Sequence, residues 1–274
     1  MQGKLYVVGT PIGNLSDFSP RAIETLEKAD FLAVEDTRVT VKLLNHFGIK
    51  KEMLSYYEHN KASKGNLILS RLLNGEICAL VSDAGMPAIS DPGEDLVRLC
   101  YENNIPVEAV PGPSAVTTAL AVSGMPSGRF CFEGFLTTQK AGRKLHLEEL
   151  KYEKRTMIFY EAPHKLLATL GDMLKVFGER DIAVVRELTK VHETVFHTTF
   201  SRALEYYTEN TPRGEFVLII SGAKENNVEY TLNDAVEIAK KLVAEGQSTS
   251  QAAKEAASIT GIKKGDIYKT LLSI

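Results

Sequence analysis

The stretch with the most chemistry in it is Asp83-Ala84-Gly85-Met86-Pro87-Ala88-Ile89-Ser90-Asp91-Pro92-Gly93. It sets two carboxylates among small residues, without the polarity of an ordinary surface loop. Gly85 and Gly93 permit positive φ or close backbone approach to a ligand, while Pro87 and Pro92 stiffen the path. Asp83 either accepts from a cationic amine or caps the turn. Three other clusters stand out. Glu35-Asp36-Thr37-Arg38 reads as a helix cap with an adjoining ion pair, or as a site. Arg186, Glu187 and Lys190 read as a strand-end ion pair, or as charged groups available to a reaction. Pro111-Gly112-Pro113-Ser114 opens a helix of small residues, Ala115 to Ser123, with Ser114 as N-cap and N-terminal amides suited to an anionic or polar group.

The elements that position these clusters follow from hydrophobic period and punctuation. Strands are expected at Lys4–Gly9, Phe31–Glu35, Met53–Tyr57, Ile77–Ser82 and Val107–Val110. Helices separate them: one capped by Ser19-Pro20 and running to about Lys28, one carrying Leu43, Leu44 and Phe47 and ended by Gly48, then Gly65–Leu73 and Glu94–Asn103. Strand–helix alternation over residues 1–112 implies a largely parallel sheet covered on both faces. Loops after such strands are where open α/β sheets hold ligands, and the Asp83 and Thr10-Pro11-Ile12-Gly13-Asn14 stretches are both of this kind.

The second half, residues 113–223, reads as strands Arg129–Phe135, Thr156–Tyr160, Asp181–Glu187, Val191–His197 and Glu215–Ser221. One helix follows the basic segment near Lys140 and another ends at Phe177. Adjacent strands without intervening helices make this sheet mixed. Residues 224–230 read as a polar linker. Asn233–Ala244, Ser248–Ser258 and Ile267–Leu272 form a small helix-turn-helix-like extension over residues 231–274.

Composition narrows the classes. With 44% hydrophobic and 24% charged residues the chain is an ordinary globular protein, and 274 residues suit two domains with a small addition. No apolar run reaches membrane-spanning length, and residues 1–9 lack a signal-peptide pattern. Cys78, Cys100 and Cys131 sit apart in apolar runs, which implies buried free thiols in a reducing cytoplasm. No His-x-x-x-His pair or P-loop occurs, and Gly-x-Gly-x-x-Gly is missing, so no metal is expected and the usual nucleotide fingerprints are excluded. A net charge of −3 argues against DNA binding, although Lys50, Lys51, Lys61, Lys64 and the run Lys140 to Arg155 are local basic patches.

In order along the chain, Val8-Gly9-Thr10-Pro11-Ile12-Gly13-Asn14-Leu15, Glu35-Asp36-Thr37-Arg38, Ser82–Gly93, Val110-Pro111-Gly112-Pro113-Ser114-Ala115 and Phe159-Tyr160-Glu161-Ala162-Pro163-His164-Lys165 resemble the ribosomal RNA small subunit methyltransferase I family. That family lies within the tetrapyrrole-methylase-like, class III methyltransferases. The resemblance spans residues 4–222, and the helical tail is similar to the family's C-terminal extension. It implies two α/β domains with S-adenosyl-L-methionine bound in the cleft between them. It also implies a cytoplasmic homodimer acting on the 2′-hydroxyl of a cytidine, position 1402 of 16S rRNA, in the small ribosomal subunit.

The chain departs from relatives that methylate tetrapyrroles in carrying Gly85-Met86-Pro87 where they have Gly-Asp-Pro. It departs from the ribosomal branch at Thr137, where proline usually follows Gly-Phe-Leu. The resemblance places the donor's methionine part against Gly85, Met86, Pro87 and Ile89, with Pro11 and Asp83 nearby. Ser114 and Ala115 stand opposite, and Ala162 and Gly214 are expected near adenine. A ribose hydroxyl needs a base or a charge that stabilises the alkoxide, and Asp36, Arg38, Arg186, Glu187 and Lys190 are the candidates. The sequence does not choose among them. Two other readings compete: a small-molecule methyltransferase of tetrapyrrole type, and a non-catalytic donor-binding assembly factor.

Overall fold

The computed structural model describes residues 3–224 and 230–272, so residues 225–229 of the expected linker lie outside the described residues. Residues up to Ala223 form one compact unit and those from Lys224 a second.

The first unit contains two sheets. Strands β1 (Lys4–Val8), β2 (Phe31–Val34), β3 (Glu52–Ser55), β4 (Ile77–Val81) and β5 (Val107–Val110) run in the order β3-β2-β4-β1-β5, every pair parallel. Alternation along the strands sorts their side chains to two faces. Leu5, Phe31, Ala33, Cys78 and Leu80 pack under α3 (Lys61–Leu73) and α4 (Glu94–Glu102). Val8, Leu32, Val34, Ala79 and Val81 pack under α1 (Pro20–Lys28) and α2 (Thr37–His46). Each fully buried aliphatic side chain contributes ~1.5–3 kcal/mol relative to an exposed one. Ser19 caps α1 through a hydrogen bond from the Ala22 N–H at 3.1 Å, with Pro20 at the first helical position.

From β1 the chain crosses to β2 on one side, and from β4 it crosses to β5 on the other. The carboxyl ends of the adjacent strands β1 and β4 are therefore the switch point of the sheet.

The second sheet is mixed, as expected. Strands β6 (Phe130–Phe135), β7 (Thr156–Glu161), β8 (Asp181–Arg186), β9 (Thr194–Thr199) and β10 (Phe216–Ile220) run in the order β6-β7-β10-β8-β9, with only β6 and β7 parallel. One face carries Met157, Phe159, Val184, Leu218 and Ile220 against α6 (Lys140–Glu149), α7 (Leu166–Phe177) and α8 (Phe200–Glu209). The other carries Ile158, Ala183, Val185 and Ile219 against α5 (Ala115–Val122), with Ile12 reaching over from the first half.

Three details differ from the sequence reading. Helix α8 occupies residues left without an element; Phe200, Ala203 and Tyr207 face the core at helical spacing. The strand expected from Val191 starts at Thr194, because residues 187–193 curl into a loop. Glu187 and Thr189 there take φ of +51° and +66°, and the Glu193 carboxylate accepts from the Thr189 N–H at 2.6 Å. Of the three free thiols, Cys78 and Cys100 are buried and Cys131 is half-buried.

In the second unit, α9 (Leu232–Ala244), α10 (Thr249–Thr260) and α11 (Lys264–Leu272) close on Ala235, Ala239, Ala252, Ala253, Ala256 and Ile267. Alanines at these positions let the helix axes approach closely. A capping box between Thr231 and Asp234 starts α9. Among the described residues no helix is long and apolar enough to cross a membrane.

Candidate active site

The loops at the switch point are tied together by backbone. Thr10 N–H donates to the Gly85 carbonyl at 2.9 Å, Gly85 N–H returns to the Thr10 carbonyl at 3.2 Å, and the buried Thr10 hydroxyl donates to the Ser82 carbonyl at 3.2 Å. Gly85 and Gly93 take φ of +86° and +150°, the conformations for which glycine was expected there. The turn after β1 also abuts the second half. A Cβ on Gly13 would stand 2.6 Å from Lys190 Cγ and 2.7 Å from Thr189 Oγ1.

Between the two sheets lies a cavity of about 430 Å³. Its first-half wall includes Ile12, Glu35, Asp83, Gly85, Met86, Ile89 and Asp91, and the start of α5 contributes Ser114 and Ala115. The second half supplies Phe135, Tyr160, Ala162, Leu188 and Val217. Ser114 occupies the N-cap position of α5, but its hydroxyl makes no capping hydrogen bond. Tyr160 stacks edge-on with Phe132 and Phe135 at 4.9 and 5.4 Å between centroids, and burial pushes its phenol up to about 12.

Of the residues expected around a donor, Asp83, Gly85, Met86, Ile89, Ser114, Ala115 and Ala162 share this cavity. Pro11, Pro87 and Gly214 stand outside its lining, each next to a residue that belongs to it. Asp83 Oδ1 accepts the Asp36 N–H at 3.2 Å, which joins the end of β4 to the start of α2.

The five candidates for activating the hydroxyl lie outside this lining. Asp36 and Arg38 line an adjoining shallow groove with Ser55 and Tyr57. Their side chains pair at 2.6 Å, and hydrogen bonds from the Arg38 guanidinium and backbone N–H hold the Asp36 carboxyl down at about 2. Glu187 accepts from Lys190 Nζ at 2.9 Å and from the Glu215 N–H at 3.0 Å, which lowers its pKa. Lys190 also reaches Glu215 at 3.0 Å; burial opposes its charge, and the two carboxylates outweigh burial, so its pKa is raised. Arg186 is spent on the Arg213 carbonyl at 2.8 Å. Leu188, between Glu187 and Lys190, is the residue of that loop that enters the cavity.

Glu35 was not singled out, and it stands where the cavity and the groove meet, together with Asp83. Burial raises its pKa, Asp91 and Asp83 add repulsion, and the Asp83 N–H only partly offsets them. Asp83 and Asp91 are likewise raised, chiefly by burial. The signal available in the sequence was position. Glu35, Phe135 and Tyr160 sit at or just beyond strand carboxyl ends, the edge that open sheets turn toward ligands.

Residues 4–204 match the family model for Tetrapyrrole (Corrin/Porphyrin) Methylases, and residues 232–274 match the RsmI C-terminal HTH domain. Uroporphyrin-III C-methyl transferase from Thermus thermophilus, complexed with S-adenyl homocysteine, superposes with a TM-score of 0.57 at 17% identity over 80% of this chain and 97% of its own. Two sheets enclosing one cleft at a switch point thus define a protein of the tetrapyrrole-methylase fold. Among curated proteins, Ribosomal RNA small subunit methyltransferase I of Synechocystis sp. is 46% identical over 99% of this chain and 98% of its own length. Its counterpart in Thermotoga maritima is 48% identical over 220 residues, 80% of this chain and 99% of its own. The chain belongs to the ribosomal RNA small subunit methyltransferase I family.

Proposed function

We propose that this chain transfers a methyl group from S-adenosyl-L-methionine to the ribose 2′-hydroxyl of a cytidine, position 1402, in 16S rRNA of the small ribosomal subunit. The observation that carries the reading is the cavity between the sheets, in a member of this family. Its volume falls in the ~300–1,000 Å³ range of small-molecule sites, and its walls are apolar with a few polar groups.

The residues present fit the donor. Three carboxylates, Glu35, Asp83 and Asp91, with pKa values raised by burial and mutual repulsion, favour a cationic group beside them. Gly85, Met86 and Ile89 hold the methionine part, Ser114 and Ala115 face them, and Phe135, Tyr160 and Ala162 offer flat apolar surface for adenine. Pro11, Pro87 and Gly214 each adjoin a residue of the cavity lining. When bound, S-adenosyl-L-methionine supplies a methyl group activated on sulfur.

The chain's own task is orientation, exclusion of water and removal of one proton. Holding a nucleophile in line supplies up to ~7–11 kcal/mol of the barrier. Among the carboxylates, Asp36 and Glu187 are poor bases because Arg38 and Lys190 stabilise their charged forms. Glu35 is the better proton acceptor: its basicity is raised and it stands at the mouth of the cavity. In this reading Arg38 steers the acceptor strand, and Lys190 with Glu187 fixes the loop that carries Leu188.

The basic patches contribute less than their number suggests, since Arg143 pairs with Asp172, and Lys61 with Glu58 and Asp95. A cytoplasmic homodimer completes the proposal on the strength of the family resemblance. Incubation of small subunits with donor, followed by nucleoside digestion and mass spectrometry, tests the acceptor atom. 2′-O-methylcytidine is expected; a methyl on the base, or none on RNA, would contradict it.

A further inference from the structure

At the other end of the same strands of the second sheet from the donor cavity lies a second groove of about 790 Å³. The cavity is at the carboxyl ends of β6 and β7, whereas this groove is lined by Arg129 and Thr156 at their amino ends, and by Gly222 beyond β10. A strand of six residues separates the two by roughly 20 Å. Among the described residues its lining includes the cations Arg129, Lys154 and Arg155 and one acid, Glu153, which Arg155 engages at 2.7 Å. Tyr152 is 78% exposed, with the Lys151 ammonium 5.7 Å from its ring centre. An exposed aromatic among cations, carrying a net positive charge, matches what single-stranded nucleic acid requires: a charged track for phosphates and a flat ring for a base.

The groove is also held in shape. The Thr156 hydroxyl donates to the Pro126 carbonyl at 2.6 Å and fixes the turn that carries Arg129. Arg180, 8% exposed, donates to the Lys151 carbonyl at 2.5 Å, and the Ala223 N–H donates to the Glu153 carbonyl at 2.6 Å. Gly222 lies so close to the Lys154 carbonyl that a Cβ would overlap it at 1.9 Å, so the floor is bare backbone. Such pinning lowers the ordering cost of binding.

We propose that this groove is an anchoring site for an unpaired segment of ribosomal RNA, with Arg129 on a phosphate and Tyr152 under a base, remote from the methylated nucleotide. The assignment rests on RNA being the acceptor. Its distance from the donor cavity means that it acts on binding and leaves the chemical step alone.

The test uses the full chain, purified small subunits and the variants Tyr152→Ala and Arg129→Ala, both at exposed positions. Filter binding across a salt series is the readout that needs no turnover. Loss of the ring is expected to weaken subunit binding about tenfold, within the range for base–aromatic stacking. Loss of Arg129 is expected to weaken binding and to reduce the slope of log affinity against log salt by about 1. KM for subunits rises in both, kcat at saturating subunit moves less than about twofold, and calorimetric donor affinity is unchanged. Binding within about twofold of wild type with an unaltered slope in both variants overturns the anchoring site. Wild-type binding that needs Tyr152 but leaves no methyl on RNA overturns the function and keeps the anchor. Wild-type protein that binds no subunits overturns both.

Discussion

Burial, then Asp91 and Asp83, raise the pKa of Glu35, so its surroundings disfavour the charged carboxylate. A group whose folded pKa lies above its unfolded value contributes stability that is fully present below the unfolded pKa and is lost as pH rises through the folded one. Glu35→Gln removes that loss. The variant is therefore expected to melt higher than wild type at neutral pH, with the advantage shrinking as pH falls below the carboxylate range. The same substitution removes the proton acceptor, so methyl transfer should fall by about 10²–10⁴-fold. A variant both less stable at neutral pH and fully active would contradict this role. Asp36 runs the other way: its folded pKa, about 2, lies below the usual value, so its contribution is present at neutral pH and lost in strong acid. The motif Glu35-Asp36-Thr37-Arg38 was legible as a cap with an ion pair. Which carboxylate stays basic was not, because that depends on Asp83 and Asp91, distant in sequence and close in space.

At the scale of elements, the turn before β10 must nest against the loop after β8. Gly214 has φ of +86°, and a Cβ there would come within 2.4–2.6 Å of the Glu187 side chain. Gly214→Ala is expected to displace Glu187 from Lys190 and to cost ~1–3 kcal/mol, read as a lower urea midpoint at unchanged m-value. A wild-type midpoint would show that the loop yields freely. The parallel sheet was legible because strand and helix periods alternate cleanly from Lys4 to Val110. The second half was harder. Helix α8 follows β9 without a turn, and its Phe200, Tyr206 and Tyr207 suit a strand as well as a helix. The loop at 187–193 takes its shape from positive φ at two non-glycine residues, Glu187 and Thr189, which no composition rule announces.

At the scale of the molecule, residues up to Ala223 hold both sheets, their four faces of buried side chains and the cavity, whereas the helices from Leu232 close on a core of their own. The Thermotoga maritima relative aligns over 220 residues that make up 99% of its length, close to the size of this first unit. A chain ending at Ala223 is accordingly expected to unfold cooperatively and to bind donor as the full chain does, by calorimetry. Loss of folding on truncation would show that the helical unit completes the core. The division into sheet-bearing unit and helical tail was legible from the polar stretch and the alanine-rich helix that follows it. The cavity was legible only in part, because its Leu188, Val217 and Phe135 look like ordinary core residues in the sequence.

The central claim is that the cavity between the sheets serves transfer of a methyl group to a ribose oxygen. The most direct measurement gives labelled S-adenosyl-L-methionine to the full chain with unmodified small subunits, then hydrolyses the RNA in alkali. A methylated 2′-oxygen blocks cleavage at its own linkage, so label recovered in a dinucleotide that begins with 2′-O-methylcytidine is the predicted result. Label confined to mononucleotides, or donor bound with no label on RNA, would contradict it.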